Sequence, residues 1–279
     1  MDAVERVYRF YENWRGEKFV YGRSALGAPL VGFFVGRHGY PEIAAQYAIH
    51  AREWVTSLMA LAHAEAGLVG GGAYILPLAN PDGAALCIRG ERFLKGMAED
   101  DAAFLRRVNG GRDFSLWKAN ARAVDCNVNF PALWGTGRSN AFAPAPQNYV
   151  GKFPLSERES RALARFTLKV RPAATVSYHT KGREIYWDFY QTGAERERDL
   201  FLARSLAKTT GYRLGSAPGS AGGYKDWCIR SLGIPAFTIE AGADALSHPI
   251  REAALPTLTE ENGGALSALI EALIKWKTR

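Results

Sequence analysis

Tyr47-Ala48-Ile49-His50-Ala51-Arg52-Glu53-Trp54 sets an imidazole and a carboxylate three residues apart, directly after an apolar run. Residues three apart in a helical turn face the same side. Zinc takes imidazole nitrogen and carboxylate oxygen at about 2.0–2.2 Å, so His50 and Glu53 can close on one ion. Arg52 lies between them, available for an anionic group. The spacing alone is equally that of a surface helical turn. A third histidine in a strand-like context, His179, and a lone carboxylate in an apolar strand, Glu240, favour the metal reading.

Working outward, residues 46–49 read as a buried strand that delivers His50 to its carboxyl end, and residues 54–66 as a helix. Upstream, residues 2–14 fit an amphipathic helix with Val4, Val7, Tyr8 and Tyr11 on one face, and residues 19–35 a hairpin around Gly27. Downstream, residues 73–80 form an apolar strand ended by the turn Asn80-Pro81-Asp82-Gly83. The polar stretch 90–120 has no clear period. Residues 158–169 read as a helix opened by Ser156 as N-cap, with Glu159 completing a capping box. Strands at 174–178, 184–190 and 236–239 and helices at 195–209, 224–232 and 260–275 complete the chain.

Alternating helices and apolar strands predict an α/β fold, a single-domain αβα sandwich over residues 1–279 with a mixed, mostly parallel central sheet. No linker, repeat or low-complexity segment divides it. Sites in such sheets gather beyond the carboxyl ends of strands, where His50, His179 and Glu240 all fall.

Thirty-five Lys and Arg against 28 Asp and Glu give a net charge of +7. That balance suits nucleic acid, an anionic surface or an acidic substrate. The positives are dispersed, with no basic run interleaved with aromatics, so nucleic-acid binding is not expected. No segment approaches the ~18–20 apolar residues of a membrane span. The first 15 residues carry charges throughout, unlike a signal peptide, and three cysteines without zinc-finger spacing suggest reduced thiols. A cytoplasmic location is the expectation, a removed export signal being the exception to it. Oligomeric state is not legible.

Five ordered motifs, Ile49 to Trp54, Asn80-Pro81-Asp82-Gly83, Val124-Asp125-Cys126-Asn127-Val128-Asn129-Phe130, Ser177-Tyr178-His179 and Phe237-Thr238-Ile239-Glu240, together resemble the zinc carboxypeptidase family. The resemblance implies one zinc ion per chain on His50, Glu53 and His179, with Glu240 as general base and acid. That matches the chemistry of the residues themselves: three ligands leave a fourth position for water, which zinc acidifies toward a pKa of about 7, and a nearby carboxylate can move its proton.

Trp117-Lys118-Ala119-Asn120, Asn127, Asn129-Phe130-Pro131, the run Tyr178 to Trp187 and the run Gly219 to Trp227 resemble more narrowly the γ-D-glutamyl-meso-diaminopimelate peptidases, which trim bacterial cell-wall peptides. The substrate implied is a muropeptide or other short peptide.

Departures from the digestive carboxypeptidases agree. Their Asn-Arg carboxylate clamp here has Asn127 but Val128, and an isopropyl group cannot replace a guanidinium fork. The position of their mobile tyrosine falls at Pro218, and that of their oxyanion arginine at Lys118, which keeps charge without the fork.

Substrate-binding candidates are Arg52 and Asn127 for an α-carboxylate, Lys181 and Arg183 toward D-glutamate, and Ser220, Gly222, Tyr224 and Lys225 for the far end of diaminopimelate. Asp125 reads as a structural hydrogen-bonding residue. Tyr186 and Trp187 read as packing beside the cleft, and His38, His63 and His248 as ordinary surface or core histidines. A non-catalytic binding protein on this fold would have lost a ligand or the base, and none of the four is lost. A conventional metallocarboxypeptidase or a small-amide deacylase is the alternative, because fold and zinc site do not set the substrate.

Overall fold

The apolar runs assemble into one eight-stranded sheet, ordered β1-β2-β4-β3-β5-β8-β6-β7, in a computed structural model that describes residues 1–278. The strands are β1 (Lys18–Arg23), β2 (Pro29–Gly36), β3 (Glu42–Tyr47), β4 (Gly72–Leu76), β5 (Ala174–His179), β6 (Glu184–Tyr186), β7 (Arg213–Gly215) and β8 (Ala236–Glu240). Four of the seven pairings are parallel, β3 with β4 and β5, β5 with β8, and β6 with β7. The sheet is therefore mixed and parallel at its centre, as the alternating pattern predicts. β3 and β5 are buried almost throughout because helices cover both their faces.

Among the described residues ten α-helices surround it: α1 (Ala3–Asn13), α2 (Val55–Ala66), α3 (Pro81–Arg89), α4 (Glu91–Leu94), α5 (Glu99–Asn109), α6 (Arg158–Val170), α7 (Gly193–Thr210), α8 (Tyr224–Leu232), α9 (Leu255–Asn262) and α10 (Ala265–Lys277). Ile43, Ala45 and Tyr47 of β3 point into a core shared with α1, α2, α7, α9 and α10, and Ala44 into the opposite core with α6 and α8. Each large apolar side chain buried there contributes about 1.5–3 kcal/mol. Tyr47 and Tyr178 stack at 4.7 Å between ring centres, which locks β3 against β5. A satellite core under α3 and α5 holds Trp117 and Ala51, joining the 90–120 stretch to the turn after β3.

Several local expectations change. Asn80 does not end a strand in a simple turn. Its Oδ1 accepts the Gly83 N–H at 3.0 Å and Pro81 opens α3, so the motif is a helix start. Ser156 is not the N-cap of α6, which Glu157 precedes. Ser156 Oγ donates to Glu157, and the Glu159 carboxylate is taken by the Ala25 N–H at 2.7 Å, leaving no capping box.

β6 stops at Tyr186, because the backbone beyond bonds to side chains: Gln191 accepts from the Phe189 N–H and donates to the Trp187 carbonyl. The terminal helix is two, broken at Gly263-Gly264, where two residues of low helix propensity meet. β7, three residues long, carried too little pattern to be anticipated. All three cysteines are buried free thiols. No helix among the described residues is long and apolar enough to cross a membrane.

Candidate metal centre and cleft

β3 ends at Tyr47, and the chain turns out of the sheet through Ala48, whose φ of 51° lies in the left-handed region. The Ala48 N–H donates to Thr56 Oγ1 at 2.9 Å, which holds that turn. His50 then precedes a short 3₁₀ turn, Ala51–Glu53, that brings Glu53 round beneath it. Asn80 Nδ2 donates to the Ile49 and Ala119 carbonyls at 3.2 and 3.1 Å, so the second motif braces both His50 and the Lys118 loop. His179 and Glu240 are the last residues of β5 and β8 and stand opposite each other in register.

The first motif's pair and His179 converge. His50 Nδ1 lies 3.0 Å from Glu53 Oε1, His179 Nδ1 lies 2.9 Å from Glu53 Oε2, and the two Nδ1 atoms are 3.0 Å apart. All three residues are buried. A tetrahedral ion with bonds of 2.0–2.1 Å sets its ligand atoms about 3.3 Å apart, so these separations fit one shared cation. His50 Nε2 lies 3.3 Å from Asp125 Oδ1, which places the ring proton there and leaves the Nδ1 lone pair for the ion. Burial alone would raise the Glu53 carboxyl, but the two imidazoles hold it well below the usual range, as a ligand carboxylate requires. Two nitrogens and one oxygen from protein with a fourth position open is the donor set of a catalytic zinc site.

Asp125 organises the flank of this cluster. It is fully buried and accepts the backbone N–H groups of Asn127 and Asn148 at 3.0 and 3.1 Å. Its Oδ2 lies 3.2 Å from Lys118 Nζ. Burial opposes its ionisation, but the Lys118 and His50 charges and these donors win, and its carboxyl sits far below the ordinary range. Lys118 is thereby held pointing into the cleft.

That cleft, about 400 Å³, is lined by His50, His179, Glu240, Lys118, Asn127, Val128, Ser220 and Lys225, together with Arg138, Tyr186 and Asp226. Burial, the largest influence, pushes the Glu240 carboxyl up to about 7; Glu53 adds to this, while His179 and Lys118 oppose it. Such a group exchanges protons near neutral pH. At one side, Lys225 Nζ lies 2.7 Å from Asp226 Oδ1, donates to the Asp188 carbonyl at 2.8 Å and stands 5.4 Å over the Phe189 ring.

The other substrate candidates lie elsewhere. Gly222 backs the wall rather than lining it: at φ 80°, an added Cβ would meet the Val128 carbonyl at 2.9 Å. The Tyr224 ring is buried beside Phe130, with its hydroxyl 2.8 Å from Thr167 Oγ1, and does not face the cleft. Arg52 reaches Gln147 at 3.4 Å. Lys181 donates to the Asp244 carbonyl, and Arg183 pairs with Glu261. Arg183 lines a second cavity of about 790 Å³ together with His248, whose charge environment includes Glu53, Arg52 and Lys181.

His38 is a surface histidine between Glu17 and Glu42, and His63 a core one against the Tyr47 hydroxyl. Arg138 and Asp226 are cleft residues that sequence reasoning missed, Arg138 because nothing in its Gly-rich loop carries a local pattern. Tyr186 reaches the cleft itself.

Comparison with known proteins agrees with this geometry. Residues 72–262 match the family model described as zinc carboxypeptidase. The chain is 32% identical over 271 residues to "Gamma-D-glutamyl-L-diamino acid endopeptidase 1" of Lysinibacillus sphaericus, covering 90% of this chain and 66% of that protein. It spans about two thirds of the length of the first curated relatives it matches.

Among solved structures, thrombin-activatable fibrinolysis inhibitor superposes with a TM-score of 0.76 at 21% identity, covering 98% of this chain and 75% of the other. The murein-tripeptide amidase MpaA of Escherichia coli O157 does so at 0.60 and 23%, covering 94% and 95%. These two show the shared fold. With the family model covering most of the sheet and His179 and Glu240, and with His50, Glu53 and His179 gathered as a zinc donor set, the chain belongs to the zinc carboxypeptidase family of metallopeptidases.

Proposed function

We propose that this chain hydrolyses the bond between the γ-carboxyl of D-glutamate and the amino group of meso-diaminopimelate in bacterial cell-wall peptides. The Lys225–Asp226 pair carries this reading. It presents a cation and an anion together on the cleft wall, and the side chain of diaminopimelate ends in an amino and a carboxyl group. Lysine lacks that carboxylate and would leave Lys225 with one partner fewer in a desolvated site. The similarity to proteins named as a γ-D-glutamyl-L-diamino acid endopeptidase and a murein-tripeptide amidase supports the same substrate class.

His50, Glu53 and His179 would hold the zinc, which supplies Lewis acidity toward a carbonyl and a water. Glu240, whose carboxyl sits near neutrality, takes the proton of the attacking water and returns it to the leaving amine. Lys118, fixed by Asp125, opposes the negative charge that develops on the carbonyl oxygen. Asn127 turns its carboxamide oxygen to the Tyr224 N–H at 3.3 Å, leaving its amide group for a substrate carboxylate. The Val128 side chain offers that carboxylate only an apolar contact. Arg52 remains a candidate for the α-carboxylate beside Asn127, and Lys181 and Arg183 for the D-glutamyl side, each reached only if its present partner releases it.

Digestion of L-Ala-γ-D-Glu-meso-diaminopimelate beside its lysine analogue tests this. The expected kcat/KM ratio is at least ~100, about 2.7 kcal/mol. Equal rates, or faster release of a C-terminal phenylalanine from an ordinary peptide, would refute the cell-wall assignment and favour a conventional carboxypeptidase.

A further inference from the structure

We propose that Arg138 is a specificity residue that fixes a substrate carboxylate in the cleft, entering from a point ten residues beyond Val128 on the same loop. The proposal rests on the peptidase reading above and deepens it.

The position of Arg138 is set by backbone and contact. Its N–H donates to the Gly219 carbonyl at 2.8 Å. Its Cβ and Nε both lie 3.4 Å from where a Cβ on Gly219 would stand. Gly219, at φ 81°, thus leaves room for the arginine to lie along the wall shared with Ser220 and Lys225. The same cleft contains Glu240 and both metal-facing histidines.

Charge distinguishes it from its neighbours. Three cationic side chains line this cleft. Lys118 is answered by Asp125 at 3.2 Å, and Lys225 by Asp226 at 2.7 Å and the Asp188 carbonyl at 2.8 Å. Among the described residues, the Arg138 guanidinium has no hydrogen bond and no ion pair in the protein. It is exposed, so its five N–H donors and full charge face the solvent of the cleft with no protein anion beside them. A guanidinium fork matches a carboxylate in bidentate fashion. Val128, on the same cleft, offers apolar contact and no competing charge. Arg138 is therefore the cleft cation left available to a ligand carboxylate, and the residue seated beside Lys225 and Asp226 would carry that group.

Zinc-loaded wild type, R138Q and R138K are compared on peptides whose leaving residue bears either a free carboxylate or a primary carboxamide. Wild type should favour the free acid at least ~10-fold in kcat/KM. R138Q should lose at least ~10-fold on the acid, mainly through KM, and stay within about twofold on the carboxamide, so the acid-to-amide ratio collapses. R138K should retain part of it. Calorimetry with free meso-diaminopimelate gives a readout without turnover, and R138Q should weaken its binding by a similar factor.

Equal losses on acid and carboxamide would assign Arg138 a structural role and overturn the proposal. A wild type without acid preference and without diaminopimelate binding would overturn it too. The diaminopimelate-to-lysine ratio reports separately on the cell-wall reading. A wild type indifferent to diaminopimelate, whose acid preference R138Q still erased, would sink that reading and leave this one standing.

Discussion

Asp125→Asn changes one atom and disturbs four contacts. Oδ1 lies 3.3 Å from His50 Nε2 and accepts the Asn127 N–H, while Oδ2 lies 3.2 Å from Lys118 Nζ and accepts the Asn148 N–H. An asparagine keeps one oxygen and turns an amide group toward the other pair of donors. Whichever way it is turned, one backbone N–H and one charged or imidazole donor face N–H groups instead of oxygen. An unsatisfied buried donor costs about 1–3 kcal/mol. Lys118 is partly exposed and can recover some solvation, so we take the total as about 3 kcal/mol.

For a chain of this size each kcal/mol moves Tm by about 2–4 °C, so the metal-free variant should melt about 6–12 °C lower. Loss of the partner that fixes the His50 ring should also weaken zinc about 10–100-fold. Calorimetric melting of chelated protein at pH 7, followed by zinc titration, measures the two effects separately. A metal-free Tm within about 1 °C of wild type, together with unchanged zinc affinity, would show that the Asp125 network holds nothing in place.

Glu240→Gln should keep its zinc and its melting temperature but lose at least ~100-fold in turnover, in line with general acid–base contributions; near-normal turnover in a fully loaded variant would move the proton transfer to another group. Glu159 gives a pH prediction. Burial, aided by nearby Asp82 and Glu157, pushes its carboxyl from 4.5 up to about 7 against the Ala25 N–H. A raised acid binds its proton more tightly when folded, so its stabilisation is complete below about pH 4.5 and is lost as pH rises through about 7, by about 3 kcal/mol. Glu159→Gln cannot lose it. Denaturant titrations at pH 5 and pH 8 should show the variant gaining about 3 kcal/mol relative to wild type across that interval, and parallel pH dependences would remove Glu159 from the account.

The central strands were legible because a parallel strand covered on both faces carries no exposed charged face and is rich in apolar and small residues, and β3, β5 and β8 each end on, or just before, a residue with chemistry to offer. Their carboxyl-end residues are therefore readable in one dimension. Asn80 was not, because the same letters serve a turn and an N-capped helix start, and the helix that follows buries Leu86 in the Trp117 cluster, a distant contact. Ser156 has a capping-box spacing, yet Glu159 reaches Ala25, 134 residues away, a contact no local pattern encodes. Lys118 entered through resemblance alone, since its neighbours give no period and its orientation depends on Asp125. Arg138 is the extreme case: its meaning comes from a backbone bond to Gly219, 81 residues away on the neighbouring loop of the same wall.

These differences divide the site physically. The groups assigned to chemistry sit on strand ends or on a turn braced by buried polar contacts, the Asn80 to Ile49 hydrogen bond and the approach of Asp125 to His50, so their geometry is coupled to the core. The wall facing them is built from the 127–140 and 217–225 loops, which bind each other through Phe130 to Gly222, Gly222 to Ala132 and Arg138 to Gly219. Those bonds tie loop to loop rather than loop to metal ligand. Val128 can thus stand where the resemblance expects an arginine without disturbing His50, Glu53 or His179. A wall held together in this way can change its charges while the zinc donors keep their places, which is how one donor set serves substrates with different carboxylates.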